Sequence, residues 1–209
     1  MEGIDLYLLD VNGILGKADE YFPFIPSNRV EKVKRYLRDK DKALSVGAAL
    51  LVEEYVGRGP YIIEEGGKPY KEGRPFFSIS HTWSYAILGV SSFPIGVDME
   101  KIKEVKGGLI DYAFTIEEKE EIESDEDFYL SWSAKEAASK CIGTGLLRPQ
   151  EQGLKLIEGH LYSFLGQNLY IQKTIYDGNS LAIAMPVDFS FRLHKVDLKA
   201  LSILEFPLC

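Results

Sequence analysis

Cysteine is scarce in this chain, with Cys141 and Cys209 the only two in 209 residues. That is too few for a disulfide scaffold or a cysteine-based zinc site, and a reducing cytoplasm is the expected location. No apolar run nears the roughly 20 residues that a membrane helix needs. The start, Met1-Glu2-Gly3-Ile4-Asp5, lacks the basic and apolar stretches of a signal peptide. Basic charge is also in deficit: the net charge is −8, and no nucleic-acid motif appears, so nucleic acid is not the expected partner.

What is present is ordinary for a globular protein, 45% hydrophobic and 27% charged residues,. The length permits one large domain or two halves of about a hundred residues each. Charge is unevenly spread. Residues 117–127 hold eight acids and one lysine, whereas residues 29–42 hold seven basic residues against Glu31, Asp39 and Asp41. The basic stretch reads either as a patch for a small polyanion or acidic partner, or as a solvated helix face.

Apolar spacing and turn residues predict a strand over 4–10, a turn at Asn12-Gly13, and helices over 28–36 and 42–56. Short strands follow over 61–63 and 76–80, and a hairpin over 85–90 and 95–100 across Ser91-Ser92-Phe93-Pro94. Gly107-Gly108 reads as a linker, dividing the chain into 1–104 and 105–209. Thr115 is the expected N-cap of an acidic helix start, and residues 127–141 form a helix stopped by Gly143. Strands over 169–175 and 181–185 make a second hairpin across Asp177-Gly178-Asn179. Both halves run from helices to strands, so the fold class expected is α+β.

Two segments carry the chemistry. In Gly96-Val97-Asp98-Met99-Glu100, strand alternation puts Asp98 and Glu100 on one face and Val97 and Met99 on the other. In Trp132-Ser133-Ala134-Lys135-Glu136-Ala137-Ala138-Ser139-Lys140, helical spacing puts Trp132, Glu136 and Lys140 on one face. Each pattern alone is ordinary, a solvated strand face or an i,i+4 ion pair beside a packed aromatic. If strand and helix meet, three carboxylates converge beside a lysine. That set suits Mg²⁺ held against a phosphate-bearing substrate, since the ion takes hard oxygen ligands.

These segments resemble the Sfp-type 4′-phosphopantetheinyl transferases, and further motifs follow in the family's order. They are Gly67-Lys68-Pro69-Tyr70, Phe77-Ser78-Ile79-Ser80-His81-Thr82, Phe114-Thr115-Ile116-Glu117-Glu118 and Gly143-Thr144-Gly145-Leu146. The resemblance implies two pseudo-symmetric α+β halves in one monomeric chain, with the active site at their interface. It implies transfer of phosphopantetheine from coenzyme A to a serine of an acyl, peptidyl or aryl carrier protein, releasing adenosine 3′,5′-bisphosphate. By similarity, Asp98, Glu100 and Glu136 hold Mg²⁺, and Glu136 takes the serine proton directly or through a metal-bound water. Lys140 contacts the phosphate, and Ser80 and His81 lie at the pyrophosphate. Lys68, Arg29, Lys32 and Ser45 fall near the nucleotide and its 3′-phosphate.

Other residues are expected to be structural: His160 and His194 sit in no motif, Trp132 packs its helix, and Lys135 forms a surface or interhalf ion pair. The chain departs from the family where Leu44 replaces a basic residue, where Tyr112-Ala113-Phe114 replaces Arg-Phe-Phe, and at Met99 in place of Ile. None of these removes a carboxylate or lysine, so an enzyme is expected rather than a non-catalytic binder.

Overall fold

The fold was analysed in a computed structural model that describes residues 1–60, 62–63 and 67–208. It is mixed α+β, built on two main sheets. In chain order the elements are β1 (Glu2–Asp10), α1 (Ser27–Lys34), α2 (Asp39–Tyr55), β2 (Ile62–Ile63), β3 (Pro69–Tyr70), β4 (Phe76–Thr82), β5 (Tyr85–Ser91) and β6 (Gly96–Lys101). They continue with α3 (Leu109–Ala113), α4 (Ile116–Lys119), α5 (Asp125–Ile142), β7 (Leu154–Glu158), β8 (Leu161–Phe164), β9 (Gln167–Tyr176), β10 (Asn179–Met185) and β11 (Phe189–Val196). Short 3₁₀ turns occupy several connections. One of them, Val11–Ile14, replaces the simple turn expected at Asn12-Gly13.

The first sheet has the order β11-β1-β5-β4 and the second β6-β10-β9-β8-β7. The sheets exchange strands along the chain. β11 pairs in parallel with β1, while β6 pairs antiparallel with β10. The expected hairpin of β5 with β6 therefore does not form. Both edges of β5 are taken by β1 and β4, so the chain leaves the first sheet through Ser92-Phe93-Pro94 and enters the second. The later hairpin, β9 with β10, is present. The strand expected over 61–63 is described only at Ile62–Ile63, because Tyr61 lies outside the described residues.

Three apolar clusters set the layering. The sheets face each other through Leu6, Ile87, Val97, Met99 and Ile183. α2 packs on the outer face of the first sheet, its residues 43–52 buried. α5 covers the second sheet with Ala134, Ala137, Ala138 and Cys141 against Leu169, Ile171 and Ala182. Small residues on α5 allow close helix–sheet contact, and burying each such apolar face contributes about 25 cal/mol per Å² removed from water.

Local signals account for the helix ends. Thr115 and Glu118 form a reciprocal capping box at α4,. Ser124 caps α5, and Gly143, at φ 87°, ends it in the left-handed conformation,. No described helix is long and apolar enough to cross a membrane.

Candidate active site

Gly96 brings β6 against α5. A Cβ built there would lie 1.8 Å from the carbonyl oxygen of Ala137 and 2.5 Å from the amide nitrogen of Cys141. Only glycine permits that approach. It sets the strand carboxylates beside the helix residues Glu136 and Lys140.

Alternation along β6 sends Val97 and Met99 into the core between the sheets. Asp98 and Glu100 open instead into a cleft of about 460 Å³. α5 contributes Glu136 and Lys140 to this cleft, β4 contributes Ser80 and His81, and the α1–α2 region contributes Arg29, Lys32 and Ser45. Lys68 joins from the turn before β3. All ten residues singled out in the sequence line this one cavity. Tyr36, Phe77 and Ser139 line it too, and sequence reasoning did not select them. Ser139 was within reach, as the neighbour of Lys140.

Lys140 Nζ donates to Asp98 Oδ1 at 2.7 Å and to the Val97 carbonyl at 3.2 Å. Ser80 Oγ donates to the same Oδ1 at 3.0 Å. The other oxygen, Asp98 Oδ2, is buried with no hydrogen-bond partner among the described residues. Asp98 is itself buried, at 3% exposure. Burial, with the like charges of Asp98 and Glu136, pushes the Glu100 carboxyl up to about 7. Burial and the Asp98 charge raise Glu136 as well. Neighbouring carboxylates desolvated together disfavour ionisation and attract a cation. Among the described residues no three acidic, histidine or cysteine side chains close into a metal cage on their own, so ligands from a bound phosphate would have to complete a metal's coordination.

Arg29, Lys32 and Lys68 add cations to the lining of the same cleft. Arg29 donates to Ser45 Oγ at 3.4 Å. Enclosure lowers Lys32, with Arg29 adding to the effect. The His81 ring is held neutral to lower pH by desolvation and then by Lys140, Lys32 and Arg29. Lys68 Nζ donates at 3.0 Å to the carbonyl of Cys141 at the α5 C-terminus, where the helix dipole favours a cation. Just past β3, Lys71 is buried in an ion pair with Glu53 of α2 and donates to the Gly57 carbonyl at 2.6 Å. This anchors the segment that carries Lys68.

Several expectations are corrected. Lys135 is not on the surface but fully buried, donating to Glu118, Ala113 O and Pro149 O. Its ion partner Glu118 lies in the same half of the chain. Leu44 is buried in the α2 core, so the missing basic residue leaves the cationic side to Arg29 and Lys32. Phe114 is 1% exposed in a cluster with Phe128, Tyr129 and Trp132. Tyr112 and Ile116 beside it are the exposed apolar residues.

The family model described as the 4′-phosphopantetheinyl transferase superfamily matches residues 94–180, which include both β6 and α5. Over 149 residues the chain is 29% identical to "4′-phosphopantetheinyl transferase ffp" of Bacillus subtilis, covering 64% of this chain and 66% of that protein. It is 29% identical to "4′-phosphopantetheinyl transferase gsp" of Aneurinibacillus migulanus, covering 61% and 62%. It is also 29% identical to "4′-phosphopantetheinyl transferase Sfp" of Bacillus subtilis strain 168, covering 63% and 66%. The chain thus spans just under two thirds of the length of each of these relatives.

Proposed function

We propose that this chain, which belongs to the 4′-phosphopantetheinyl transferase superfamily, transfers 4′-phosphopantetheine from coenzyme A to a serine hydroxyl of a carrier protein. The observation that carries the reading is the single cleft. One wall holds Asp98, Glu100, Glu136 and Lys140, and the cations Arg29, Lys32 and Lys68 stand elsewhere around it.

The reaction joins the serine oxygen to the phosphorus that bears the pantetheine. The pyrophosphate bridge breaks, and adenosine 3′,5′-bisphosphate leaves. Such transfer depends on positioning and charge neutralisation. Glu136 takes the serine proton, and burial with the Asp98 charge raises its carboxyl, which makes it a stronger base,. Lys140 meets the charge that grows on the departing phosphate. Arg29, Lys32, Ser45 and Lys68 hold the nucleotide with its 3′-phosphate, and Ser80 and His81 border the pyrophosphate.

The residues fit Mg²⁺. Asp98 Oδ2 is a buried oxygen with no partner among the described residues, and Asp98, Glu100 and Glu136 offer the hard donors the ion prefers. Held by these three carboxylates, it would supply positive charge to neutralise the transferred phosphoryl group.

The reading includes two halves, 1–104 and 105–209, with the cleft between them, in keeping with β6 and α5 both lining it. It also includes a monomeric, cytoplasmic enzyme.

The test is mass spectrometry of several diverse apo-carrier proteins given coenzyme A and Mg²⁺. The expected result is a gain of about 340 Da on at least one of them, the mass of the transferred group. No gain on any carrier, with coenzyme A bound, would leave a nucleotide-binding protein instead.

A further inference from the structure

Among the described residues the outer edge of β6 has no partner strand, since β6 stands at the end of its sheet. Its amide donors are satisfied nonetheless. Val97 N–H donates to Ser78 Oγ at 2.9 Å, Met99 N–H to Ser80 Oγ at 3.3 Å, and Lys101 N–H to Thr82 Oγ1 at 2.9 Å. Three hydroxyls spaced two apart on β4 thus take the place of a neighbouring strand's carbonyls. They fasten the first sheet to the second at the strand that carries the carboxylates.

Ser80 differs from the other two. Its hydroxyl has one proton and two lone pairs. One lone pair takes Met99 N–H, and the proton goes to Asp98 Oδ1. Lys140 reaches the same oxygen. Oδ1 is therefore held from two sides, whereas Oδ2 is left buried without a partner among the described residues. A carboxylate pinned through one oxygen cannot turn freely, so the other keeps a fixed direction. Ser80 also has no second proton to offer a phosphate oxygen without releasing Asp98.

We infer that Ser80 is a positioning residue for Asp98, holding its carboxylate so that Oδ2 is presented to the divalent cation, rather than a direct phosphate contact. The inference rests on the transferase reading for what Oδ2 receives. Partners that orient a metal ligand are generally worth about 10–100-fold in metal affinity.

The experiment compares Ser80→Ala with Ser78→Ala, which removes an equivalent stitch to β6 but touches no carboxylate. Mn²⁺ serves as the probe, its binding followed by electron paramagnetic resonance with coenzyme A present. Thermal midpoints and metal-free coenzyme A affinity are measured alongside. Both variants are expected to lower the thermal midpoint. Only Ser80→Ala weakens Mn²⁺ binding, by about tenfold, with metal-free coenzyme A affinity held within about twofold. Ser80→Thr restores it, since Thr82 makes the same stitch with the same group. Equal Mn²⁺ affinity in Ser80→Ala and Ser78→Ala would overturn the inference. So would a loss confined to metal-free coenzyme A affinity, the mark of a direct phosphate contact.

Should Ser80→Ala not fold, Ser80→Cys keeps the comparison, because a thiol is a weak donor. A parent protein that binds no Mn²⁺ would overturn the metal reading of the cleft. The crystal structure of Ser80→Ala then decides the clamp. An Asp98 carboxylate turned from its parental orientation supports it, and an unmoved one overturns it.

Discussion

Lys140 of α5 and Asp98 of β6 are joined by a 2.7 Å ion pair, with Lys140 31% exposed and Asp98 4% exposed at the side chain. Forty-two residues separate them in the chain, and the pair spans the contact that Gly96 makes possible. In this arrangement the ammonium supplies the positive charge that the carboxylate cluster requires. Its partly open position leaves it free to follow a phosphate.

Lys140→Ala is expected to lower turnover by about a hundredfold or more, with the Michaelis constant for coenzyme A changed only a few-fold. A charge that matters most as the leaving group departs acts on the rate. Lys68→Ala is expected to do the reverse, raising the Michaelis constant and sparing turnover. Full kinetic curves varying coenzyme A at saturating carrier separate the two. A pure Michaelis-constant effect for Lys140→Ala would make it a binding residue.

Asp98→Ala and Glu136→Ala are expected to share a large loss of turnover, about a hundredfold or more, yet differ in stability. Truncating buried Asp98 strands Lys140 and Ser80, at about 1–3 kcal/mol. Glu136, half-buried and without an ion partner among the described residues, should cost about 0.5 kcal/mol or less. Chemical denaturation measures both. Equal destabilisation would mean the Asp98 contacts contribute nothing to folding.

Glu100 has a folded pKa of about 7 against an ordinary value of 4.5. Between these values the native state keeps a proton that the unfolded chain has released. The stability linked to this group is full below the unfolded value and is lost as pH rises through about 7. Metal-free protein is therefore expected to lose thermal stability from pH 5 to 8, and Glu100→Gln to flatten that slope. Parallel melting curves for variant and parent across this range would rule the linkage out.

Gly96→Ala is expected to destabilise by about 3 kcal/mol or more, since the added methyl meets backbone that cannot yield,. It should abolish transfer in whatever protein remains folded. Gly3→Ala, where a Cβ meets nothing within 4 Å, is the control. A Gly96→Ala protein that melts with the parent would mean that β6 and α5 can separate.

Much of the site could be read from spacing. The period-2 pattern of β6 puts Asp98 with Glu100 on one face and the period-4 pattern of α5 puts Glu136 with Lys140 on one face, because those periods follow from backbone geometry alone. The N-cap at Thr115, the stop at Gly143 and the β9–β10 hairpin were equally local, and all are present. What spacing cannot express is which strand neighbours which. β5 and β6 read as a hairpin, yet β5 had both edges filled and β6 crossed to the other sheet. Burial was hidden for the same reason. Lys135 and Asp98 look like surface charges in sequence and become interior ones only when α3, α4, β4 and α5 close around them. The sequence by itself determined the elements and the side chains that could do chemistry, since these depend on neighbours a few residues away. Tertiary structure alone decided that β4 hydroxyls would finish the edge of β6, because that pairing depends on how two sheets pack.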